Sequence, residues 1–329
     1  MKNSLLATSL ACCLLILQGD VQGQGFNKAG RSSLQFLKIG IGARQTAMGE
    51  AGISVVQDAN AVFWNPAGVT GIRSVEASFS YDRWFADLNY VAGALAVKWP
   101  DVGVFGLSYS WLGYGDIPEA LATAESGSSD TRTGATFTGN DMLLGLTYAR
   151  QFTDQLSIGL TAKLVREKLF EYSVSTYAFD IGTFYDTGFK GIRFAMSAQN
   201  FSKSVKYLTV SDRPEGYDVP LLFRIGVSVD LVKAGDAFID AGSSHTLTLA
   251  GESLNSNDFG ERWHVGTEYI FAGFLSLRAG YRFNYEEGLA SFGVGVQKEF
   301  SGADVRVDYS YVSYQYLQSP HRISVSVGF

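Results

Sequence analysis

The 329-residue chain is almost free of cysteine, and its two cysteines, Cys12 and Cys13, lie near the start. Both fall inside an apolar run, residues 5–17, that follows a short positively charged stretch. Small or short residues then allow cleavage after Gly23, so residues 1–23 are predicted to be a signal peptide. The run is shorter than the ~20 residues that a membrane-spanning helix needs. The expected mature chain therefore has no disulfide, no thiol nucleophile and no cysteine-bound metal.

Charge and proline are also scarce. Charged residues make up 18% of the chain, below the roughly 25% of an ordinary soluble domain, and there are only 6 prolines. The net charge of −6 argues against a nucleic-acid-binding protein, which needs a basic surface. No later stretch reaches 18 consecutive apolar residues, so no membrane-spanning helix is predicted. What remains is an exported chain rich in glycine (37 residues) and in aromatic residues (14%).

From about Ser74 onward, apolar and polar residues alternate with a period of two. Such alternation indicates strands that have one apolar and one polar face. Residues 303–314 are typical: one face carries Val305, Val307, Tyr309 and Tyr311, and the other carries Asp304, Arg306, Asp308 and Ser310. Fourteen such segments are predicted, near 74–84, 90–99, 103–113, 141–152, 156–168, 177–187, 191–202, 221–232, 238–250, 261–271, 274–285, 289–300, 303–314 and 321–329.

The length of these segments favours a membrane barrel. Most have 9–12 residues, whereas strands of soluble proteins average about 5–6 and tilted membrane-spanning strands need about 9–11. Tight turns, such as 233–236 and 301–302, alternate with longer links, such as 114–140, 169–176 and 251–260. This asymmetry is typical of outer-membrane barrels, and an even strand count puts both barrel ends on the periplasmic side. Residues 74–329 are therefore predicted to form an all-β, fourteen-stranded antiparallel transmembrane β-barrel surrounded by outer-membrane lipid.

The turns also predict the register. A two-residue turn at 301–302 places Phe300 opposite Ala303 and Val296 opposite Val307. Across the turn near 272–274, Glu268 would face Arg278 and His264 would face Arg282, as inward cross-strand pairs. The candidate polar network of the lumen comprises His264, Glu268, Arg278, Arg282, Arg306 and Asp308. These groups could line a conduction path or hold a plug in place, and the structural role is favoured.

The end of the chain carries a possible assembly signal. Apolar residues occupy alternate positions from Ile323 to the final Phe329. This ending resembles the terminal signal that the outer-membrane barrel assembly machinery recognises. That machinery is thus an expected partner, with Phe329 as the assembly signal.

Residues 24–73 do not alternate and are predicted to fold into the lumen as a plug. Fourteen strands enclose a lumen too wide for side chains alone to fill, since about eight strands already suffice for that. Within this stretch, Asn65 followed by Pro66 suits a helix N-cap with proline at the first helical position. The plug motif is Asn65, Pro66, Ala67 and Gly68.

The same stretch carries a family resemblance. Residues 42–51 (GARQTAMGEA), 58–59 (DA) and 64–68 (WNPAG) resemble the entry segment of FadL-like barrels, and most closely the PorV/PorQ family. The resemblance implies a fourteen-stranded barrel with an N-terminal hatch. It also implies a non-enzymatic part in type IX protein secretion, with secreted cargo proteins and other secretion components as partners. The alternative that the FadL-like hatch implies is passive transport of a hydrophobic ligand across the outer membrane.

Little in the sequence points to other chemistry. The three histidines, His245, His264 and His321, have no metal-ligand spacing. A barrel hydrolase would need His264 or His321 beside an exposed serine, and none is expected. Residues 253–258 could hold a calcium ion but are more often a solvated loop. No enzyme activity, cofactor or metal is predicted.

Overall fold

A computed structural model describes residues 32–120, 132–206, 216–235 and 237–329. The predicted signal peptide lies outside these residues, as does the start of the predicted plug, residues 24–31. In chain order the strands are β1 (Val75–Arg83), β2 (Asn89–Trp99), β3 (Gly103–Gly113), β4 (Ile117–Ala120), β5 (Arg132–Phe137), β6 (Gly139–Gln151), β7 (Leu156–Leu169), β8 (Tyr172–Asp186), β9 (Arg193–Ser202), β10 (Val205–Lys206), β11 (Gly216–Tyr217), β12 (Leu222–Val232), β13 (His245–Ser256), β14 (Arg262–Phe271), β15 (Leu275–Phe283), β16 (Ala290–Phe300), β17 (Ala303–Val312) and β18 (His321–Gly328).

Fourteen of these strands form one closed antiparallel barrel, which confirms the predicted fold. Each barrel strand pairs with its sequence neighbours in the barrel, and β1 pairs with β18 to close the sheet. Two small hairpins, β4–β5 and β10–β11, lie in the connections outside the barrel sheet. The strands alternate between buried side chains that face the lumen and exposed ones that face outward. In β3, for example, Ser108 and Ser110 are buried whereas Leu107 and Tyr109 are exposed.

The predicted register is confirmed at both turns. Phe300 pairs with Ala303 and Val296 with Val307 across the turn at 301–302. Across the turn at 272–274, Glu268 pairs with Arg278 and His264 with Arg282. The short turn and the in–out alternation together leave only one register that keeps the apolar faces on the outside.

Three predicted connections were wrong in length, and one of them, the predicted link 251–260, is shortened to 257–261. The predicted long link 169–176 is a two-residue turn at 170–171, because β7 and β8 pair up to Leu169 and Tyr172. The predicted tight turn 233–236 is a longer connection, 233–244, and the predicted strand 238–250 is β13 (His245–Ser256). Gly242 lies at a φ of 73° and its N–H donates to Asp240 Oδ1, so the backbone there turns and cannot continue a strand.

The C-terminal end of β13 also differs from the prediction, and the reason is a buried ion pair. Residues 251–256 look like a solvated loop because they are polar, yet they continue the strand. Glu252 points into the lumen, where its carboxylate pairs with the Arg224 guanidinium of β12. Glu252 can therefore lie within the strand because its partner is on the neighbouring strand β12.

The barrel has two distinguishable ends. At one end of the barrel, called the loop end below, β3 and β9 end, β6 and β12 begin, and the connection 313–320 joins β17 to β18. The turns at 100–102, 152–155 and 301–302 lie at the other, called the turn end. A bulge interrupts the wall between β8 and β9, where Gln199 and Asn200 together oppose Asp180 and Asn200 lies at a φ of 67°.

Residues 33–72, called the N-terminal segment below, lie against the inward face of the barrel strands. Its short helical stretches are 3₁₀ turns at Gln35–Lys38 and Pro66–Gly71 and α-helical turns at Ala43–Ala47 and Ala61–Trp64; a further 3₁₀ turn, Phe85–Asp87, follows β1. The turn Ala43–Ala47 contacts β15 to β18, and Pro66–Gly71 contacts β3, β6, β7 and β8 on the opposite side. The segment therefore crosses the lumen from wall to wall.

Among the described residues, no helix is both long and apolar enough to cross a bilayer.

Candidate functional site: the lumen and the N-terminal segment

The predicted motif Asn65–Gly68 sits where the N-terminal segment meets β7 and β8. Asn65 caps the following 3₁₀ turn, since its Oδ1 accepts from Ala67 N at 3.1 Å, and Pro66 is the first residue of that turn, as predicted. The Asn65 Nδ2 also donates to the carbonyl of Thr183 in β8 at 3.0 Å. The Asn65 amide thus binds the segment through its oxygen and the wall through its nitrogen.

Glycines in the wall make room for this contact. Gly159 in β7 faces the peptide between Pro66 and Ala67, and Gly182 in β8 faces the Asn65 side chain. A Cβ atom at either glycine would overlap these atoms. The wall and the motif are therefore complementary in shape, because glycine allows a backbone approach that no other residue permits.

On the opposite side of the lumen, six charged groups form a closed ring of ion pairs. Four belong to the wall and were predicted: Glu268, Arg278, Asp308 and Arg306. Two belong to the N-terminal segment: Arg44 and Asp58. Going round the ring, the nitrogen–oxygen distances are 2.7 Å (Arg44–Glu268), 2.6 Å (Glu268–Arg278), 2.7 Å (Arg278–Asp308), 3.1 Å (Asp308–Arg306), 2.6 Å (Arg306–Asp58) and 3.4 Å (Asp58–Arg44).

The ring is electrically neutral, with three arginines and three carboxylates. Wall residues alone would leave Glu268 with only one cation, Arg278, and Arg306 with only one carboxylate, Asp308. Arg44 and Asp58 complete the alternation of sign. Buried charges are costly unless they are paired and hydrogen-bonded. The segment and the wall therefore depend on each other for charge compensation.

The other two predicted network residues lie outside the ring. Arg282 pairs with Glu50 of the N-terminal segment at 3.0 Å and donates from Nε to the Gly288 carbonyl at 2.6 Å. His264 is within 2.8 Å of the Tyr285 hydroxyl through Nε2 and 3.4 Å of the Glu50 carbonyl through Nδ1. Both residues thus face the lumen and contact the segment at a second place.

Sequence reasoning missed several charged residues of the lumen. The N-terminal residues Arg44, Glu50 and Asp58 were noted only as parts of a motif, because their segment has no periodicity from which to assign a direction. Arg224 and Glu252 form a buried pair, and Glu252 also accepts from the backbone N–H groups of residues 52 and 53. For Arg224 the signal was available, since it occupies an inward position of the predicted strand 221–232, whereas Glu252 fell in a predicted link.

The lumen also has an apolar half, towards the loop end between β2 and β8. There the segment residues Leu34, Phe36 and Ile41 are buried in one cluster with inward side chains of the wall. The wall members from these strands are Tyr90, Ala92, Leu112, Leu143, Val165, Val174 and Ala178. The term apolar half refers to this cluster alone, since the same strands also carry the buried ion pair Lys163–Asp180.

This apolar half is filled by the chain itself. A cavity of only about 30 Å³ remains between residues 37–41, the neighbouring wall and the turn at Phe63 and Trp64. An apolar cavity of about 150 Å³ is large enough for benzene, so the remaining space suits one or two water molecules. A small hydrophobic molecule could occupy this half only if the segment residues moved.

The first part of the segment is held by few polar contacts. Lys38 Nζ lies 2.8 Å from Asp258 Oδ2 in the loop after β13, and Gln35 and Ser256 also donate to this carboxylate. Partial burial raises the pKa of Asp258, but the hydrogen bond from Lys38, followed by that from Ser256, holds it below its usual value. The Leu34 N–H donates to Glu167 at 3.2 Å.

A second cavity lies at the turn end. Its volume is about 260 Å³, and its lining is mostly polar. Arg44, Asp58 and Arg306 of the charged ring form its inner wall, and the terminal Phe329 lies at its edge. The ring therefore separates this turn-end cavity from the rest of the lumen. Phe329 itself is 61% exposed, and its N–H donates to the Val75 carbonyl at 2.8 Å.

The residues considered for a hydrolase or a metal site have other partners. His321 Nδ1 lies 2.7 Å from the Tyr309 hydroxyl, and the partners of His264 are a tyrosine and a backbone carbonyl. Within the described ranges, no three His, Cys, Asp or Glu residues are grouped closely enough to hold a metal ion. In the predicted calcium stretch, Asp258 is engaged by Lys38.

Comparison with solved structures shows which class of protein has this fold. No family model matches the chain, and no curated protein matches it. The Pseudomonas putida toluene transporter TodX superposes with a TM-score of 0.56 over 88% of this chain and 97% of its own, at 12% identity. A Pseudomonas aeruginosa FadL homologue gives 0.53 (88% and 98%, 10% identity), and the monoaromatic hydrocarbon channel CymD gives 0.52 (88% and 98%, 13% identity).

The chain therefore has the fold of FadL-like barrels. At these identities the likeness concerns the fold alone, so function must be argued from the lumen and the outer surface.

Proposed function

We propose that this protein is a bacterial outer-membrane barrel. The outward face supports this location, because it carries a band of exposed apolar side chains. Outward cations lie on either side of this band. Eight residues of β7 lead from Ile158, which pairs with Arg150 at the turn end, to Arg166, the first outward cation towards the loop end. At about 3.3 Å per residue and a tilt of about 40°, this is about 20 Å along the membrane normal. Outer-membrane barrels have an apolar band of about 25 Å, so these cations lie near its two edges.

We propose further that small hydrophobic molecules pass through the lumen. The observation that carries this proposal is the apolar half around Phe36, which gives such a molecule a surface that excludes water. The fold neighbours TodX and CymD, which are a toluene transporter and a monoaromatic hydrocarbon channel, make monoaromatic hydrocarbons the first probes to try. The neighbours are transporters and channels, which supports a non-enzymatic role.

In this proposal the N-terminal segment is a plug with two parts. Residues 42–72 are the fixed part, because the charged ring and the motif Asn65–Gly68 tie them to opposite walls. Residues 33–41 are the part that moves, because they are held mainly by apolar contacts and by the Lys38–Asp258 pair. Displacing them exposes the apolar half without opening the ring, so a hydrophobic solute gains a site while ions remain excluded.

A reversible tether tests the proposal. Ser32 and Asp218 form a parallel β-bridge, and Ser33 N donates to the Asp218 carbonyl at 3.0 Å. Because the expected mature chain has no cysteine, the double variant Ser32→Cys/Asp218→Cys can form one disulfide that holds the start of the segment. We expect toluene uptake by cells producing this variant to fall when it is oxidised and to recover on reduction.

The matched control places the disulfide away from the segment. Ile117→Cys/Phe137→Cys joins paired residues of the β4–β5 hairpin. Its toluene uptake should be the same before and after reduction. Uptake that is independent of the Ser32–Asp218 tether, or equal to that of cells without the protein, would exclude this transport route.

A role in type IX secretion is the second candidate. It is supported by the resemblance of residues 42–51 and 64–68 to the PorV/PorQ family, and by the small volume left free beside residues 37–41. In that role the segment stays in place and the loops bind secreted cargo. Recovery of proteins bearing type IX signals in pull-downs of the full barrel, together with tether-independent toluene uptake, would favour this candidate.

A further inference from the structure

The charges of the barrel wall are sorted by sign. Every Asp and Glu in the barrel strands occupies an inward position, from Glu76 and Asp82 in β1 to Asp304 and Asp308 in β17. The outward positions of the barrel strands carry no acid. Their charged residues are all cations: Arg83, Arg150, Arg166, Lys168 and Lys298.

The outward cations stand close to strand ends. Arg83 and the pair Arg166 and Lys168 lie at the loop end, and Arg150 and Lys298 lie at the turn end. Arg166 and Lys168 are two residues apart on the same face of β7, about 7 Å along the strand. Among the described residues, no salt bridge joins either of them to an acidic side chain.

The register around this pair shows an abrupt change in the outer surface. One row consists of Leu144, Leu164 and Tyr177, which are side by side on β6, β7 and β8 and are all exposed. In the next row outward, Arg166 stands between Met142 and Ser175; in the row after that, Lys168 stands between Asn140 and Ser173. Over these two rows, in which Met142 is the one apolar member, the surface changes to two cations, two hydroxyls and an amide.

We propose that this patch, formed by Asn140, Arg166, Lys168, Ser173 and Ser175, binds the phosphate groups of lipid A in the outer leaflet. The inference rests on the proposed outer-membrane location, with the loop end towards the outer leaflet. The apolar row below the patch lies at the level of acyl chains, and all hydrogen-bonding groups of the patch can donate to a phosphate. Cations near a membrane surface attract anionic lipid, and an acid here would repel it.

The experiment measures lipid binding by the full barrel in detergent, so it does not depend on where the protein resides in the cell. Purified bisphosphorylated lipid A is titrated into the wild type and into Arg166→Gln/Lys168→Gln, and binding is followed by native mass spectrometry. At about 1 kcal/mol per cation, we expect the double variant to bind about 30-fold more weakly. The matched control Arg150→Gln/Lys298→Gln removes two outward cations at the turn end and should bind like the wild type.

Two further arms identify the ligand. Dephosphorylated lipid A should bind the wild type as weakly as bisphosphorylated lipid A binds the Arg166→Gln/Lys168→Gln variant. Inorganic phosphate at the same concentration should not compete. Equal binding by both double variants, binding that ignores the phosphates, or competition by inorganic phosphate would each overturn the proposal. Toluene uptake by the same variants reports separately on the proposed transport.

Discussion

Arg44 of the N-terminal segment and Glu268 of β14 are joined by two parallel hydrogen bonds, Nε–Oε1 at 2.9 Å and Nη2–Oε2 at 2.7 Å. Glu268 also accepts from Arg278 Nε at 2.6 Å, so one carboxylate compensates two guanidinium groups. Such forked pairs fix orientation as well as charge. This contact makes Glu268 the wall residue on which the position of the segment depends most.

Replacing Glu268 by Gln should therefore destabilise the barrel strongly. The change leaves Arg44 and Arg278 without their shared negative charge, and removing one partner of a buried ion pair costs about 3–5 kcal/mol. The measurement is the denaturant midpoint of the barrel in micelles, followed by tryptophan fluorescence. Glu299→Gln, which changes an exposed carboxylate near the turn end, is the control and should leave the midpoint unchanged. Equal midpoints for the two variants would contradict the role given to the ring.

Gly280→Ala should displace the segment from β15. A Cβ at this position would overlap the peptide that joins Met48 to Gly49. Overpacking of this kind costs about 1–3 kcal/mol, and here the less firmly held partner is the segment. We expect higher ion conductance in planar bilayers than for the wild type.

The control for this variant is Gly93→Ala. Gly93 lies in β2 on the outward face, and its added Cβ would have the Ser78 carbonyl oxygen, at 3.7 Å, as its nearest neighbour. Its conductance should match that of the wild type. If both alanine variants conduct equally, the close approach at Gly280 does not hold the segment.

The Lys38–Asp258 contact should make residues 33–41 sensitive to acid. Because the folded state lowers the pKa of Asp258, its ionised form stabilises the contact at and above the unfolded value of about 3.9. That stabilisation is lost as the pH falls through the lower, folded-state pKa. Pulsed hydrogen exchange of peptides covering residues 33–41, corrected for intrinsic rates, should show faster exchange below about pH 4.

Asp258→Asn should give that faster exchange already at neutral pH and should flatten the pH profile. Asp240→Asn is the matched change in an exposed loop, and its profile should follow that of the wild type. A steep acid transition that persists in Asp258→Asn would assign the sensitivity to another group.

Deletion of Phe329 should lower the amount of protein in the outer membrane. We propose that this exposed aromatic end is recognised during barrel assembly, so its removal should slow insertion rather than unfold the finished barrel. Phe300→Ala is a suitable control, because Phe300 is also an exposed aromatic residue at the turn end, 54% exposed against 61% for Phe329. Unchanged outer-membrane levels after the deletion would refute the signal.

The wall was predictable because each strand obeys a period of two. Once the turn at 272–274 was placed, the pairing of Glu268 with Arg278 followed from counting residues. Prediction failed where polarity and strand structure conflict. Glu252 looks like a loop residue until its partner Arg224 is known, and residues 238–244 look like a strand because Phe238 and Ile239 are apolar.

The N-terminal segment was predictable only in part. Local rules gave the cap at Asn65 and Pro66 as the first residue of the following turn. They gave no partner for Arg44 or Asp58, because those contacts span more than 200 residues of sequence and depend on the closed wall. The apolar half of the lumen was missed for a related reason: its members come from five strands, and each strand contributes only one or two.

The pairing of β1 with β18 imposes an order of events on barrel formation. The seam joins Ala77 to Val327, so it cannot form until the last strand has been delivered. The Met48–Gly49 peptide lies against Gly266 and Gly280, and once the seam is closed it can no longer leave sideways between two strands. Closing the seam is therefore the step that confines residues 42–72 to the lumen.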